Sequence, residues 1–116
     1  MIVYGIPNCD TVKRARKWLT ARGVEHQFVD FRKNPVGGER TAAWVDALGP
    51  KALKNTSGGS YRGLPPDKKT WDEGQWKTAM AADPMLIKRP VIERDGVAVI
   101  AGFRASDADL ELILIS

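Results

Sequence analysis

The first apolar residues of the chain form a short run that is followed at once by loop-forming residues. Residues 2 to 6 are mostly apolar, and Pro7 and Asn8 come next. A short apolar run bounded in this way predicts a buried strand that leaves its sheet through a loop. Cys9 follows that loop directly.

The next stretch has apolar residues at helical spacing, with basic residues between them. The apolar positions are Val12, Ala15, Trp18 and Leu19. Gly23 stands where a C-terminal cap belongs, so the pattern predicts a helix of about three turns. A second apolar stretch near residues 26 to 31 predicts another strand. The first third of the chain therefore indicates a βαβ unit with parallel strands.

The middle of the chain predicts helices separated by irregular segments. A Pro/Gly loop over residues 34 to 38 precedes a second helix. That helix carries Ala42, Trp44, Val45 and Leu48 and stops at Gly49-Pro50. Residues 55 to 66 are rich in glycine, serine and proline and predict a surface loop with short helical turns. Thr70 and Glu73 have the spacing of a capping box before a further helix, which Pro84 ends.

The last third of the chain predicts a hairpin and a helix. Two apolar stretches flank Asp95-Gly96, a pair favoured in two-residue hairpin turns because both positions need a positive φ. Ser106 is a candidate N-cap for a final helix. The apolar face of that helix would be formed by Leu110, Ile113 and Leu114.

This order of elements is that of the thioredoxin-like fold. A βαβ unit is followed by a helical insertion and then by a hairpin and a helix. The sequence therefore predicts an α/β protein with a mixed four-stranded sheet and flanking helices. We expect residues 1 to 116 to form a single domain.

Composition excludes several classes of protein. The chain has 116 residues, Cys 1, His 1 and a formal net charge of +4. A lone cysteine cannot form an internal disulfide, and with a single histidine it cannot build a zinc site, so we expect no metal. No apolar run approaches the ~20 residues of a membrane span, and the N-terminus lacks a signal-peptide pattern, so we expect a cytoplasmic protein without a membrane partner. Acidic residues interrupt the basic ones, which argues against nucleic-acid binding.

Cys9 is the strongest candidate for chemistry. It lies at the tip of a predicted strand and before a predicted helix, where unpaired N–H groups favour an anionic sulfur or a bound oxyanion. Lys13 comes one helical turn later and could add a cation. The alternative is that Cys9 is an inert, buried small hydrophobe.

Three arginines are candidates for binding an anion. Arg89 comes directly before Pro90, which is a candidate for a cis peptide bond. Arg104 follows the hairpin, and Arg62 lies in the middle loop. The planar fork of arginine suits oxyanions because it makes two parallel charge-assisted hydrogen bonds. The alternative is that each is a solvated surface charge.

Other conspicuous residues are expected to be structural. His26 begins the second strand without neighbours that would position it for catalysis. The tryptophans are expected in the core, and they are Trp18, Trp44, Trp71 and Trp76.

Three segments resemble the arsenate reductase and Spx-type family over essentially the full length. They are residues 4–11 (YGIPNCDT), residues 87–90 (IKRP) and residues 102–106 (GFRAS), in the order and spacing of that family. The similarity is greatest to its small branch of glutathione-dependent thiol reductases. The resemblance implies a thioredoxin-like fold with Cys9 as nucleophile, Arg89 and Arg104 as anion-binding residues, and Pro90 as a cis proline facing the thiol.

The chain also departs from this family. The similar arsenate reductases have a histidine and an arginine where this chain has Gly5 and Lys13. Their middle-loop arginine falls on Asn55 or Ser57 here, and Arg62 is a candidate replacement. Many Spx-type members have a second cysteine where this chain has Val12, so an internal redox switch is excluded.

The leading hypothesis is a thiol reductase that binds no resident cofactor. Cys9 would attack an oxidised thiol or oxyanion substrate, and an external thiol from glutathione or a glutaredoxin would resolve the adduct. Lys13, Arg89, Arg104, Asn55 and Arg62 are the expected ligands of the anion or of glutathione. The alternatives are arsenate reduction and a non-enzymatic adaptor that binds a transcription protein.

Overall fold

The computed structural model describes residues 1–116. The strands are β1 (Ile2–Gly5), β2 (Gln27–Asp30), β3 (Val91–Arg94) and β4 (Val97–Ala101). The helices are α1 (Asp10–Ala21), α2 (Gly37–Leu48), α3 (Pro50–Leu53), α4 (Gly59–Arg62), α5 (Glu73–Ala82) and α6 (Asp107–Leu114). Two 3-10 turns cover Pro66–Thr70 and Pro84–Leu86. None of the helices combines the length and the hydropathy that crossing a bilayer requires.

The four strands form one mixed sheet in the order β2-β1-β3-β4. β1 pairs with β2 in parallel, β3 is antiparallel to both β1 and β4, and α1 connects the parallel pair. Asp95 and Gly96 have φ values of 54° and 80° at the turn between β3 and β4, as that hairpin requires. The expected thioredoxin-like arrangement is confirmed.

The sheet separates two apolar clusters. Successive side chains of a strand point to opposite faces. Tyr4 and Val91 therefore join the larger cluster with α2 and α5, whereas Val3 and Ile92 join the smaller cluster with α1 and α6. Such short strands are stable here because each one is packed on both faces.

The predicted ends of α1 and α6 are confirmed. Gly23 has a φ of +70° and donates its N–H to the carbonyl of Thr20 at 3.0 Å, which ends α1. The hydroxyl of Ser106 accepts the N–H of Asp109 at 3.2 Å and caps α6. Both caps follow from local sequence, because they need only the backbone that is next to them.

The capping box predicted at Thr70 and Glu73 is wrong by two residues. Asp72 is the N-cap of α5, and its carboxylate accepts the N–H of Gln75 while the Gln75 side chain accepts the N–H of Asp72, both at 2.9 Å. Glu73 is instead the first residue of the helix, and the Thr70 hydroxyl donates to the carbonyl of Asp67. Asp72 and Gln75 form the same kind of reciprocal pair two residues further along the chain.

Two other boundaries and several burial predictions also differ. α2 begins at Gly37, inside the expected loop, and Pro50 starts α3 instead of ending a helical region. Trp44 and Trp76 are buried as expected, but Trp18 and Trp71 are only half-buried. The indole N–H of Trp18 donates to Asp107, because its polar edge faces the start of α6. On α6 itself, Ile113 is likewise half-buried.

A buried carboxylate in the larger cluster was missed by the sequence analysis. Glu93 on β3 is only 3% exposed. Its carboxylate accepts hydrogen bonds from the Tyr4 hydroxyl at 3.1 Å and from the Trp44 indole N–H at 2.7 Å. Arg40 donates to both of its oxygens at 2.8 Å. A buried charge is tolerated when it is paired and fully hydrogen-bonded, so this network ties the sheet to α2.

The network predicts how stability responds to alkali. Burial raises the pKa of Tyr4 above its ordinary value of 10.0, and the negative charge of Glu93 raises it further. Ionisation then favours the unfolded chain, so the stability that the Tyr4 hydroxyl contributes is present below about pH 10 and is lost as pH rises through the folded value.

Tyr4→Phe should therefore flatten the decline in the free energy of unfolding above about pH 10, measured by urea titration at several pH values. Trp44→Phe is the matched control, because it removes another donor to Glu93 without removing a titrating group. Equal alkaline slopes for wild type and Tyr4→Phe would contradict the prediction.

Candidate functional site

A cleft of about 430 Å³ opens beside the N-terminus of α1. Four separate parts of the chain contribute to it. The lining residues are Cys9, Thr11, Asn55, Thr56, Ser57, Lys88, Arg89, Ala101, Gly102 and Arg104. All three segments on which the family resemblance depends therefore meet at one place.

Cys9 is the N-cap residue of α1 and is half-buried. Its carbonyl accepts the N–H of Lys13 at 3.0 Å, but its side chain makes no capping hydrogen bond. The positive end of the helix therefore lies at the sulfur, and Asp10, the acidic residue of the first turn, does not line the cleft. The thiol is reachable from the cleft, so the expectation of an inert, fully buried cysteine does not fit this position.

A close approach between α1 and β1 holds the cysteine in this place. A Cβ atom added at Gly5 would lie 2.6 Å from a methyl group of Val12, a distance that real atoms do not reach. Only glycine leaves room for α1 to pack this closely on the strand. The histidine that related arsenate reductases have at this position would have no space here.

Arg89 brings a positive charge to the cleft without an acidic partner. Its Nε is buried and has no hydrogen-bond partner, and one terminal nitrogen lies 3.8 Å from the sulfur of Met85. The Arg89-Pro90 peptide bond is cis, as the sequence analysis expected. The carbonyl of Pro90 accepts the N–H of Gly102 at 2.8 Å, which joins this segment to the end of β4.

The turn after β4 places Arg104 at the cleft. Gly102 has a φ of +78°, which turns the chain, and Phe103 is buried in the smaller cluster. Arg14 donates to the carbonyl of Phe103 at 2.7 Å and fixes the turn from the side of α1. Arg104 is then left exposed at the rim of the cleft.

The cleft is strongly positive. Lys88, Arg89 and Arg104 line it, and no aspartate or glutamate does. These cations take part in none of the ion pairs of the structure, which involve Arg22, Arg40 and Lys77. Unpaired cations around the end of a helix favour a guest with negative charge.

Two of the predicted anion ligands lie outside the cleft. Lys13 is exposed and lines a shallow depression with Arg16, Lys17 and His26. Residues two apart on a helix differ by about 200° in direction, so Lys13 faces away from the wall that Thr11 forms. Arg62 donates to the carbonyl of Ser57 at 3.0 Å and does not line the cleft.

The other predicted residues meet in the cleft, together with six that were not predicted as ligands. Cys9, Asn55, Arg89 and Arg104 line it as expected. Ser57 was named only as one of two positions that match the family's middle-loop arginine, and the residues that were not predicted are Thr11, Thr56, Lys88, Ala101 and Gly102. Lys88 is next to Arg89 in the sequence, and its positive charge was a signal that could have identified it. Thr56 gave no such signal, since only the tertiary fold brings residues 55 to 57 to the cysteine. A larger, shallow groove of about 850 Å³ lies at the other end of α1, and no cysteine lines it.

The fold and the cleft define the class of this protein. A mixed sheet in the order β2-β1-β3-β4, with a cysteine at the N-terminus of α1 and a cis proline before β3, is the arrangement of a thioredoxin-like protein. The ArsC family model matches residues 4–109, and the chain belongs to this family.

Individual relatives agree with the family assignment. An uncharacterised protein of Haemophilus influenzae is 37% identical over 106 residues, which cover 90% of this chain and 92% of the relative. The uncharacterised protein YusI of Bacillus subtilis is 35% identical over 105 residues, which cover 87% and 88% of the two chains.

Solved structures are also similar. The YFFB protein superposes with a TM-score of 0.84 at 32% identity and covers 97% of each chain. A possible arsenate reductase from Streptococcus mutans superposes with a TM-score of 0.80, also at 32% identity, over 95% of this chain and 96% of the other.

The exposure of Cys9 and the charge around it predict that an anion protects the thiol. Iodoacetamide should alkylate Cys9 in the folded protein, and sulfate should slow the reaction by occupying the cleft. Arg89→Gln should reduce the protection by sulfate, because it removes one unpaired cation beside the thiol.

Mass spectrometry of the alkylated chain measures the rate of alkylation, and chloride at equal ionic strength is the control for screening. A thiol that reacts only after denaturation, or equal protection by sulfate and chloride, would contradict it.

Proposed function

We propose that this protein is a glutathione-dependent thiol reductase in which Cys9 is the only cysteine that reacts. The proposal depends on one observation. A half-buried cysteine, at a helix N-terminus that has no side-chain cap, shares a cleft with three cationic side chains. The family assignment supports an oxidoreductase of the arsenate-reductase-like type. The choice of glutathione as the second thiol follows the family resemblance, and the size and charge of the cleft support it.

The chemistry requires a thiol from outside the chain. The Cys9 thiolate attacks one sulfur of an oxidised substrate, a new S–S bond forms, and the other sulfur leaves as a thiolate. The sequence has Cys 1, so no second cysteine is present to reverse this step internally. The thiolate of glutathione then attacks the mixed disulfide, which restores the Cys9 thiolate and carries the substrate sulfur away as a glutathione disulfide.

The dimensions of the cleft support an organic guest. Pockets for small organic molecules span about 300 to 1,000 Å³, and the volume of about 430 Å³ falls in that range. Glutathione has two carboxylates that suit the planar forks of Arg89 and Arg104. In this proposal those arginines hold the tripeptide, while the end of α1 favours the anionic sulfur of Cys9.

Arsenate reduction is a second candidate. The uncapped N-terminus of α1 and its neighbouring cations suit an oxyanion as well as a carboxylate. The similar structure from Streptococcus mutans is described as a possible arsenate reductase. Against this candidate, Gly5 and the outward-facing Lys13 leave the cleft without two groups that the similar reductases have.

Turnover assays with glutathione as the reductant should separate these candidates. We expect turnover with a small mixed disulfide, and Cys9→Ser should abolish it because no other thiol can form the adduct. Arg104→Gln should raise KM for glutathione about ten-fold, since a charge-assisted hydrogen bond contributes about 1.4 kcal/mol or more. Lys13→Gln is the matched control, because it removes a cation that lies outside the cleft.

Each alternative gives a different result. Turnover with arsenate but not with the disulfide would favour the arsenate reductase. Absence of turnover with both, in a protein whose Cys9 is alkylated normally, would overturn the enzymatic proposal and leave the adaptor hypothesis. An equal rise in KM for Lys13→Gln would contradict the assignment of glutathione binding to the cleft.

A further inference from the structure

One wall of the cleft is a neutral loop, the segment Asn55–Ser57. Its side chains are an amide and two hydroxyls, all in positions that line the cleft. The Asn55 side-chain oxygen accepts the N–H of Ser57 at 3.3 Å and the Ser57 hydroxyl at 3.0 Å. The N–H of Asn55 donates to the carbonyl of Leu86 at 2.7 Å, which places residues 55 to 57 beside the segment that leads from the 3-10 turn Pro84–Leu86 to Arg89.

Arg62 contacts the backbone of this segment from outside the cleft. One terminal nitrogen of its guanidinium donates to the carbonyl of Ser57 at 3.0 Å. A Cβ atom at Gly59 would lie 4.0 Å from the other terminal nitrogen, so the side chain folds back over the start of α4. In this orientation the guanidinium contacts the backbone of the loop, and Arg62 does not line the cleft.

The helix that carries Arg62 is itself anchored in the core. α4 has only four residues and is stable only through its contacts. The ring of Tyr61 stacks on Trp76 with centroids 6.4 Å apart and planes inclined by 6°. The side chain of Lys68 donates to the carbonyl of Tyr61 at 2.9 Å. A continuous set of contacts therefore runs from buried Trp76 through Tyr61 and Arg62 to Ser57.

We propose that Arg62 is a positioning residue, which orders the Asn55–Ser57 wall and does not bind the anion. This assignment extends the proposed function, because it names what holds the neutral side of the glutathione cleft. Holding the Ser57 carbonyl requires only a hydrogen-bond donor at the correct position, which Arg62 supplies. Binding an anion requires a positive charge inside the cleft, where Arg62 does not lie. Under this proposal Arg62 does not take over anion binding from the family's middle-loop arginine. The wall contributes only uncharged polar atoms to the cleft.

The neutral wall also indicates which guest fits the cleft. The charged side has Lys88, Arg89 and Arg104, and the neutral side has an amide and hydroxyls. A peptide-like thiol has both carboxylates and uncharged amides, so it matches both sides. A small inorganic oxyanion matches only the charged side, and we expect its binding to depend little on the order of the wall.

Three variants test the proposal: Arg62→Ala, Arg62→Lys and, as the matched control, Lys69→Ala. Lys69 is an exposed cation for which the structure records no side-chain hydrogen bond or ion pair. Hydrogen exchange of the unliganded protein, followed by mass spectrometry, should show faster exchange of residues 55 to 58 in Arg62→Ala only. Arg62→Lys should restore slow exchange, because its ammonium can also donate to the Ser57 carbonyl.

Calorimetry of the same variants measures binding. Arg62→Ala should weaken glutathione binding about five-fold, equivalent to about 1 kcal/mol, and sulfate binding less than two-fold. The dependence of glutathione affinity on salt should remain that of wild type in Arg62→Ala, whereas Arg89→Gln should reduce it.

Two results would overturn the positioning role. One is unchanged exchange of residues 55 to 58 in Arg62→Ala. The other is a reduced salt dependence in Arg62→Ala like that of Arg89→Gln, with equal losses for sulfate and glutathione, which would make Arg62 a direct anion ligand. If wild-type protein binds no glutathione, the proposed function fails, and the exchange and sulfate measurements still decide the role of Arg62.

Discussion

The architecture of the cleft is governed by one electrostatic constraint, which is that three cations are held together with no carboxylate among them. Like charges repel, and a guanidinium nitrogen that is buried without a partner is unfavourable. Such an arrangement persists only when the backbone around it is fixed by contacts elsewhere. The hydrogen bonds of Pro90 with Gly102, Lys88 with Leu53 and Asn55 with Leu86 provide that fixation, each at 2.8 Å or 2.7 Å.

The buried carboxylate of Glu93 and the half-buried guanidinium of Arg89 have opposite environments. Glu93 is surrounded by donors from Tyr4, Arg40 and Trp44, so its charge is satisfied within the protein. Arg89 has only the sulfur of Met85 as a neighbouring acceptor. A satisfied buried charge stabilises a particular packing arrangement, whereas an unsatisfied one at a cleft is available to a ligand. The first lies in the core between the sheet and α2, and the second lies beside Cys9.

Much of the fold could be predicted from the sequence because its signals are local. The apolar runs, the Gly23 cap, the Asp95-Gly96 turn and the Ser106 cap each depend on residues within a few positions of one another. Cys9, Arg89 and Arg104 were identified as candidates for the same reason, through local position and family resemblance. The failures concern contacts between distant parts of the chain. Spacing placed Lys13 near the cysteine but did not give its direction, and no sequence pattern indicated that Thr56 lies in the same cleft as the thiol.

Two departures from the family pattern, at Gly5 and Val12, are one packing contact in the structure. Val12 is 1% exposed, and its methyl groups occupy the space that a side chain at position 5 would need. The close contact between α1 and β1 thus accounts at once for the absence of the family's histidine and for a branched apolar residue where other members have a second cysteine. A chain packed in this way has neither an internal acid–base group before Cys9 nor an internal thiol to resolve its adduct. The chemistry then depends on what the cleft admits, which is why its charged and neutral walls are the features on which substrate choice should depend.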